Sequence, residues 1–368
     1  MRILYGVQAT GNGHITRARA LNKHFTEFGI QADFLFSGRE LDKFWDMEEF
    51  GSWQLKRGLT FVHEAGDLKM LKTIQQNRLG EFYRDVRELD LSPYDLIVTD
   101  FEPIVAWAAK QQKRTCVGVG HQYAFGHNVP QRGGSWHART IMRMFAPVDI
   151  SLGLHWHHFD TPILPPIAET PHTTEARDPN KVVVYLGFEE PEHVIQLLEP
   201  FEDTLFTYYG PFAQYESRGH IQLKPLSREG FQHDLATCGG VISNAGFELS
   251  SESIQLGNKL LVKPLKGQME QLSNAEALQL LGLGTSMDTL DRDIVKTWLA
   301  QENGKRVIYP NVARTIVEWM SRGEWQDNNG LNQIIYALWE ATRAVGVDSF
   351  IKNPLPKLQL GNALLNKA

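Results

Sequence analysis

Cysteine, net charge and unbroken apolar sequence are all scarce in this 368-residue chain. Its two cysteines, Cys116 and Cys238, each lie in an apolar context, so no disulfide framework carries the fold and both read as buried free thiols in a reducing compartment. Basic side chains number 37 and acidic ones 43, a net charge of −6 that gives no overall attraction to nucleic acid or an anionic membrane. Any phosphate must therefore be held locally. No apolar run is long enough to cross a bilayer, and MRILYGVQATG reaches Gln8 and Gly11 too soon for the core of a secretory signal. Asn-x-Ser/Thr sequons are absent as well, and the expected location is cytoplasmic. The remaining composition, 42% hydrophobic and 22% charged, is that of a globular protein, with length for two domains of about 150 residues.

Strand-like and helix-like runs alternate along the chain, the pattern of a mostly parallel, doubly wound sheet. Residues 2–7 form a β-run, 8–14 a glycine loop, and Ala18, Leu21, Phe25 and Phe28 a helical stripe closed by Gly29. Further strands are expected at 31–38, 53–63, 94–99, 115–120 and 148–154, with helices at 39–49, 67–89 and 103–113. TPILPPIAETP at 161–171 breaks the series, which restarts at 181 and ends in helices at 291–302, 311–322 and 331–345. The predicted architecture is α/β: two Rossmann-like domains facing each other, at 1–160 and 176–345, a linker at 161–175 and a terminal segment at 346–368.

Two stretches carry chemistry. In GNGHITR at 11–17, Gly11 and Gly13 let the chain turn tightly after the first strand, and the helix that follows offers free N–H groups. His14 sits at that mouth, where an imidazole can take a proton from a hydroxyl near neutral pH or simply cap the helix. Arg17 suits a phosphate contact or a solvated helix face. Asp100 and Glu102 follow another strand; either carboxylate can orient His14, and Asp100 can equally cap the helix that Pro103 begins. His121 and Gln122, after the strand at 115–120, are placed on the acceptor side with Gly11, Gly13, Arg17 and Glu102. Arg132, Trp136, Arg139 and Arg143 would share one helix side, as a solvated face or a surface for a phosphorylated or lipid-linked acceptor. The GxGxxG dinucleotide fingerprint is missing, because position 16 is Thr16.

The second stretch is SNAGFELSSESIQLGNKLLVKPLKGQMEQLSNA at 243–275: a turn, a helix from Ala245 to Leu256 stopped by Gly257, a short strand, and a Gln-rich loop opening another helix. Glu248 and Glu252 fall one turn apart on one face, suited to a vicinal diol such as ribose or to a solvated helix face. Gln268, Glu270, Gln271 and Asn274 lie just past the carboxyl end of the strand, the edge where open α/β sheets bind ligands.

This stretch resembles the donor-binding half of the glycosyltransferase-B superfamily, and is similar in particular to the N-acetylglucosaminyltransferase of the peptidoglycan lipid intermediate and related nucleotide-sugar glycosyltransferases. The resemblance implies that Glu252 holds the nucleotide ribose and that Glu270 and Gln271 hold the donor sugar ahead of Asn274-Ala275; Gly187, Asn244, Gly246, Glu248 and Gln268 are counted in the same donor site by their places at strand ends and helix starts, although the loop at Gly187 lacks the family's Gly-Ser-rich phosphate turn. The turn departs from the family's usual His or Ser-Gly, and Glu270 replaces the commoner Asp or Gln. The Gly-rich turn ending in His14 also fits the family's first half, and the terminal segment is expected to pack back onto it.

The implied activity is an inverting, metal-independent transfer of a sugar from a nucleotide-sugar, UDP-sugar being favoured, to a hydroxyl acceptor, glycan or lipid-linked. His14 is the base and Asp100 its partner. No cofactor is required, because the only Asp-x-Asp, Asp291 and Asp293, lies in a helix-capping context. Peripheral contact with the inner membrane face is compatible with this reading, and the oligomeric state stays open. Two alternatives remain: a nucleotide-sugar hydrolase of the same fold, whose Gly-x-Gly-His-x-x-Arg opening Gly11, Gly13, His14 and Arg17 fit, and a non-catalytic nucleotide-sugar binder.

Overall fold

Strand–helix alternation in the first half yields, in order, β1 (Arg2–Gln8), α1 (Asn12–Phe25), β2 (Gln31–Ser37), β3 (Trp53–Lys56), a small hairpin β4 (His63–Glu64) and β5 (Asp67–Leu68), α2 (Leu79–Glu88), β6 (Leu96–Asp100), α3 (Pro103–Gln112), β7 (Cys116–Gly120), α4 (Trp136–Phe145) and β8 (Ile150–Gly153). The computed structural model describes residues 1–345 except 60–62, 65–66, 69–77, 134–135, 172, 303 and 327. Six strands form one parallel sheet in the order β3-β2-β1-β6-β7-β8, with Arg2 opposite Gln31 on one side of β1 and Ile3 opposite Leu96 on the other. Ile3, Leu4, Tyr5 and Val7 are fully buried, as a parallel strand covered on both faces requires.

The second half contains β9 (Asp178–Tyr185), α5 (Pro191–Leu198), β10 (Leu205–Gly210), β11 (Glu216–Arg218), β12 (Ile221–Pro225), α6 (Arg228–Thr237), β13 (Cys238–Asn244), α7 (Phe247–Leu256), β14 (Lys259–Lys263), α8 (Met269–Leu280), β15 (Thr285–Ser286), α9 (Arg292–Leu299), β16 (Arg306–Ile308), α10 (Val312–Ser321), α11 (Asn328–Ala341) and β17 (Arg343–Val345). Its seven-stranded sheet runs β11-β12-β10-β9-β13-β14-β15, with β11 antiparallel to β12 and the other pairs parallel. The two cysteines lie in different sheets, buried and unpaired.

Each sheet reverses its winding at one point, and that is where a doubly wound sheet opens a crevice at its carboxyl edge. In the first it lies between β1 and β6, at the Ala9–Gly11 loop and Asp100; in the second it lies between β9 and β13, at Gly187 and Asn244. The two crevices face each other. A single buried apolar cluster, running from Leu21 through Trp156 and Phe247 to Ile316 and Trp339, joins the halves. The chain also crosses back before residue 346: α10 packs against α1, Arg314 Nε donates to Glu27 Oε1 at 2.9 Å, and Trp339 Nε1 donates to Ile163 O at 2.7 Å. The terminal segment expected to make that crossing, 346–368, lies outside the described residues.

Several local expectations change. The helix expected at 39–49 is two short 3-10 turns, Leu41–Lys43 and Glu48–Phe50, separated by Asp46 at φ 56. Tertiary packing overrides the helical pattern, because Phe44 and Phe50 turn inward onto Phe36, 5.9 and 5.0 Å between ring centroids. The strand at 53–63 ends at Lys56, and the helix expected at 67–89 runs from Leu79 to Glu88, with Asp67 and Leu68 in the β4–β5 hairpin instead and 69–77 outside the described residues. The helix after the Asn-Ala-Gly turn starts at Phe247 rather than Ala245, and the last one ends at Ala341, ahead of an edge strand.

Candidate active site

β1 delivers the chain into the Ala9–Gly11 turn, and α1 starts without a side-chain cap. Gly13 leaves room for a neighbour here: a Cβ would come within 2.3 Å of the Glu248 carboxylate of the second half and push it aside. His14, in the first turn of α1, points its Nδ1 at Asp100 Oδ1, 2.7 Å away. Since a carboxylate only accepts, Nδ1 carries the proton and Nε2 is left with its lone pair, as a base requires.

Arg17, one turn further, is neither solvated nor open to a ligand. It is 2% exposed and forks onto Asp100, Nε to Oδ2 at 2.6 Å and Nη2 to Oδ1 at 2.7 Å, while Nη1 pairs with Glu248 Oε1. Burial pushes the Asp100 carboxyl up, but the Arg17 charge and the His14 ring outweigh it and hold the group below the usual carboxylate range. The next residue, Phe101, adopts φ 55, a left-handed conformation uncommon for a bulky side chain. Its ring stacks on Phe145 at 5.0 Å, and this packing secures the turn between two carboxylates with different tasks. Asp100 faces His14 and Arg17, whereas Glu102 caps α3.

The cap is therefore Glu102 and not Asp100. Glu102 accepts from Ile104 N at 2.9 Å, Val105 N at 2.7 Å and Ser37 Oγ at 2.7 Å, and it is fully buried. Placed on the acceptor side by the sequence, it instead fastens helix to sheet. Burial raises its pKa to about 7 against the pull of those three hydrogen bonds.

In the second half, β13 ends in Ser243 and Asn244, and Gly246 leads into α7 with no side-chain cap, so the first N–H groups of that helix are open to an anion. Asn244 Nδ2 donates to Lys263 O at 3.1 Å, and the Lys263 ammonium pairs with Glu189 at 2.7 Å in the loop that also holds Gly187. Glu248 and Glu252 do not form a solvated face. Glu248 reaches across to Arg17, and Glu252 is buried beside Gln232, its pKa raised to about 8 by burial. Gln255, next on that line, donates to Ala168 O at 2.9 Å.

The Gln-rich loop leaves some of its side-chain polar atoms unpaired and ties others into the fold. Gln268 caps α8 by position, with a buried Oε1 that has no partner, and Ser243 Oγ is likewise unpartnered. Gln271, predicted to hold sugar with Glu270, accepts from Leu265 N at 3.0 Å through its Oε1, which ties that end of the amide to the loop. Asn274 is fully buried, its Nδ2 donating to Ala245 O at 3.0 Å and its other end 2.6 Å from His121 Nε2. It pins the halves together. Glu270 receives Gln122 Nε2 from the first half at 3.2 Å, and Gln122 Oε1 is buried without a partner.

Across the cleft the structure thus brings His14, Asp100, Arg17 and Glu248 into one cluster and Gln122 and Glu270 into a second. His121 stacks on Phe247, 3.9 Å between centroids and 6° between planes. Burial pushes the His121 ring pKa down. The expected basic face on α4 does not assemble as drawn: Arg132 precedes the helix, bonding Asp288 at 3.2 Å and, through its N–H, Ser273 Oγ at 3.0 Å. The side chains of Trp136 and Arg139 lie outside those described. Sequence reasoning missed Lys263, the stacking role of Phe247, and the contact in which Asn12 of the first half bonds both Arg39, at 2.9 Å, and Tyr185 of β9. A lone Lys ending the short strand was the available signal for the first; an aromatic pair across a domain boundary leaves none. Asp291 caps α9, accepting from Asp293 N at 2.9 Å and Ile294 N at 3.1 Å.

A protein-family model described as "Glycosyl transferase family 1" matches residues 1–302. No curated protein matches the sequence at a significant level. Solved structures do. The glycosyltransferase SnogD from Streptomyces nogalater aligns at TM-score 0.52 and 13% identity, over 91% of this chain and 99% of its own. The calicheamicin glycosyltransferase CalG4 gives 0.50 and 16% over 92% and 98%, and the spinosyn rhamnosyltransferase SpnG, complexed with thymidine diphosphate, gives 0.54 and 12% over 89% and 96%. At these identities the likeness is one of fold, glycosyltransferase-B, and not of the narrower peptidoglycan enzyme.

Proposed function

Because the chain belongs to glycosyl transferase family 1, we propose that it moves a hexosyl or N-acetylhexosaminyl unit, with inversion and without a metal, from a nucleotide-sugar to a hydroxyl acceptor. The observation that carries the reading is the 2.7 Å contact of His14 Nδ1 with Asp100 at the first sheet's crevice, directly opposite the second sheet's crevice. The acceptor O–H gives its proton to His14 Nε2 as the oxygen bonds the anomeric carbon. The bond from that carbon to the diphosphate breaks on the opposite face, the nucleoside diphosphate leaves with the electron pair, and Asp100 stabilises the imidazolium.

The donor belongs to the second half. Its diphosphate suits the uncapped start of α7, with Gly187 and Lys263 at the same edge, and this is the basis for metal independence. Glu252 is the ribose residue, Glu270 and Gln268 face the sugar, and Gln122 meets it from the first half. A uridine diphosphate sugar is the first candidate, and the thymidine diphosphate bound by SpnG makes a thymidine diphosphate sugar the second. Among the described residues no helix is long and apolar enough to cross a membrane. A lipid-linked acceptor would be met at the surface, where Met144 and Arg143 of α4 are exposed.

The test is mass-spectrometric turnover of a panel of UDP- and dTDP-hexoses by the purified protein, without and with acceptor alcohols, with thermal shifts recorded in the same wells. A donor that stabilises the fold and is consumed only with an acceptor supports transfer. Steady consumption without one replaces transfer by hydrolysis, and stabilisation with no turnover under any acceptor favours a binder.

A further inference from the structure

We propose that Glu248 is a positioning residue for the base: by pairing with Arg17 across the cleft it raises the proton affinity of His14. The inference rests on the reading of His14 as the base and goes beyond it, because Glu248 was expected among the donor ligands.

Asp100 Oδ1 is shared by His14 Nδ1 at 2.7 Å and Arg17 Nη2 at 2.7 Å, and the guanidinium lies 3.2 Å from the same imidazole nitrogen. Taken alone, that arrangement makes a poor base. Arg17 neutralises the carboxylate that should stabilise the imidazolium, and its charge repels the one that forms on the ring. A carboxylate on the far side of Arg17 reverses the balance, since Arg17, Asp100 and Glu248 together carry a net charge of −1. Glu248 is the only residue of the second half paired with Arg17 among the described hydrogen bonds and ion pairs.

The other polar groups around the cluster do not substitute for it. Tyr5 of β1 is buried, and burial with the nearby Asp100 charge keeps its phenol neutral. Glu270 of α8 acts on Arg17 from further away and is engaged by Gln122, while His121, also near Arg17, has its pKa pushed down by burial and its ring nitrogens engaged by Leu154 O and Asn274 Oδ1. Glu248 is held in place by two second-half and first-half features at once: it stands in the first turn of α7, and Gly13 leaves room for its carboxylate against the backbone of α1.

The experiment is a histidine-selective 13C NMR titration of the full chain, with His14→Gln used to assign the His14 signal, comparing wild type with Glu248→Gln. The His14 midpoint is expected to fall by about one pH unit in the variant, the size of a buried charge interaction transmitted over several ångströms. An unchanged or raised midpoint in folded protein overturns the proposal. If Glu248→Gln does not fold, Gly13→Ala displaces the same carboxylate while keeping every charge and is expected to shift the midpoint the same way. Turnover of His14→Ala separates the two readings: retained activity removes the base assignment, while lost activity with an unmoved midpoint in Glu248→Gln removes only the present inference.

Discussion

At the first crevice every charged atom has a charged or hydrogen-bonding partner: Arg17 is saturated by Asp100 and Glu248, Asp100 by Arg17 and His14, and Glu102 by its helix and Ser37. The buried polar atoms without partners near the cleft are neutral ones: Ser243 Oγ and Gln268 Oε1 in the second half, beside an uncapped helix start, and Gln122 Oε1 and Tyr5 Oη in the first. The contrast separates two tasks. A proton-transfer centre has to be held in one geometry before the substrate arrives, since reorganising charges during reaction is costly. A recognition surface must leave its hydrogen bonds to be made by the ligand, and a buried polar atom without a partner costs about 1–3 kcal/mol that a ligand can return.

The largest break in this comparison is His14→Ala, expected to lower kcat about 10²–10⁴-fold while leaving the nucleotide Kd from calorimetry nearly unchanged. A parallel loss of affinity would show that the two crevices are not divided by task. Arg17→Met should act on stability instead: it strands a fully buried Asp100 charge, and chemical denaturation is expected to show a loss of about 3–5 kcal/mol. For the second half, Glu252→Ala is expected to weaken nucleotide binding by about 1–3 kcal/mol with little change in kcat, and an unaltered Kd would take Glu252 out of the site.

Glu252 also sharpens the comparison through pH. Its carboxyl rises from 4.5 to about 8 in the folded protein, so between those values the native state binds the extra proton. Its contribution to stability is full below pH 4.5 and lost as pH rises through 8. Glu252→Gln, which cannot ionise, is expected to melt above wild type at pH 8 and to match it near pH 4.5; equal melting curves at both would mean that the carboxyl is not neutral when folded. The smallest expected effect is that of chelation: EDTA should leave turnover unchanged, and a loss restored by Mg²⁺ would put a metal at the diphosphate.

Much of this was legible because it is local. Apolar strands, glycine turns and alternating helices announced a doubly wound α/β chain, and the strand ends pointed to His14, Asp100 and Glu270. The errors share a cause. Glu102 and Asp100 are two residues apart at one strand end, and no local rule says which caps the helix; the turn at Phe101, fixed by rings from distant segments, decides it. Asn274 reads as a ligand because its spacing fits, yet its amide is engaged at both ends, by Ala245 O and by His121, while Gln271 beside it gives only its Oε1 to Leu265 N.

Sequence by itself determined the fold class, the two crevices and the residue types that line them, because strand periodicity, turn chemistry and helix starts act over a few residues. Only the tertiary structure decided which of those residues are spent on each other. Arg17 and Glu248 stand 231 positions apart in the chain and meet only when two sheets are packed face to face, and a contact of that range is set by how whole domains bury their apolar surfaces, which no short stretch of residues encodes.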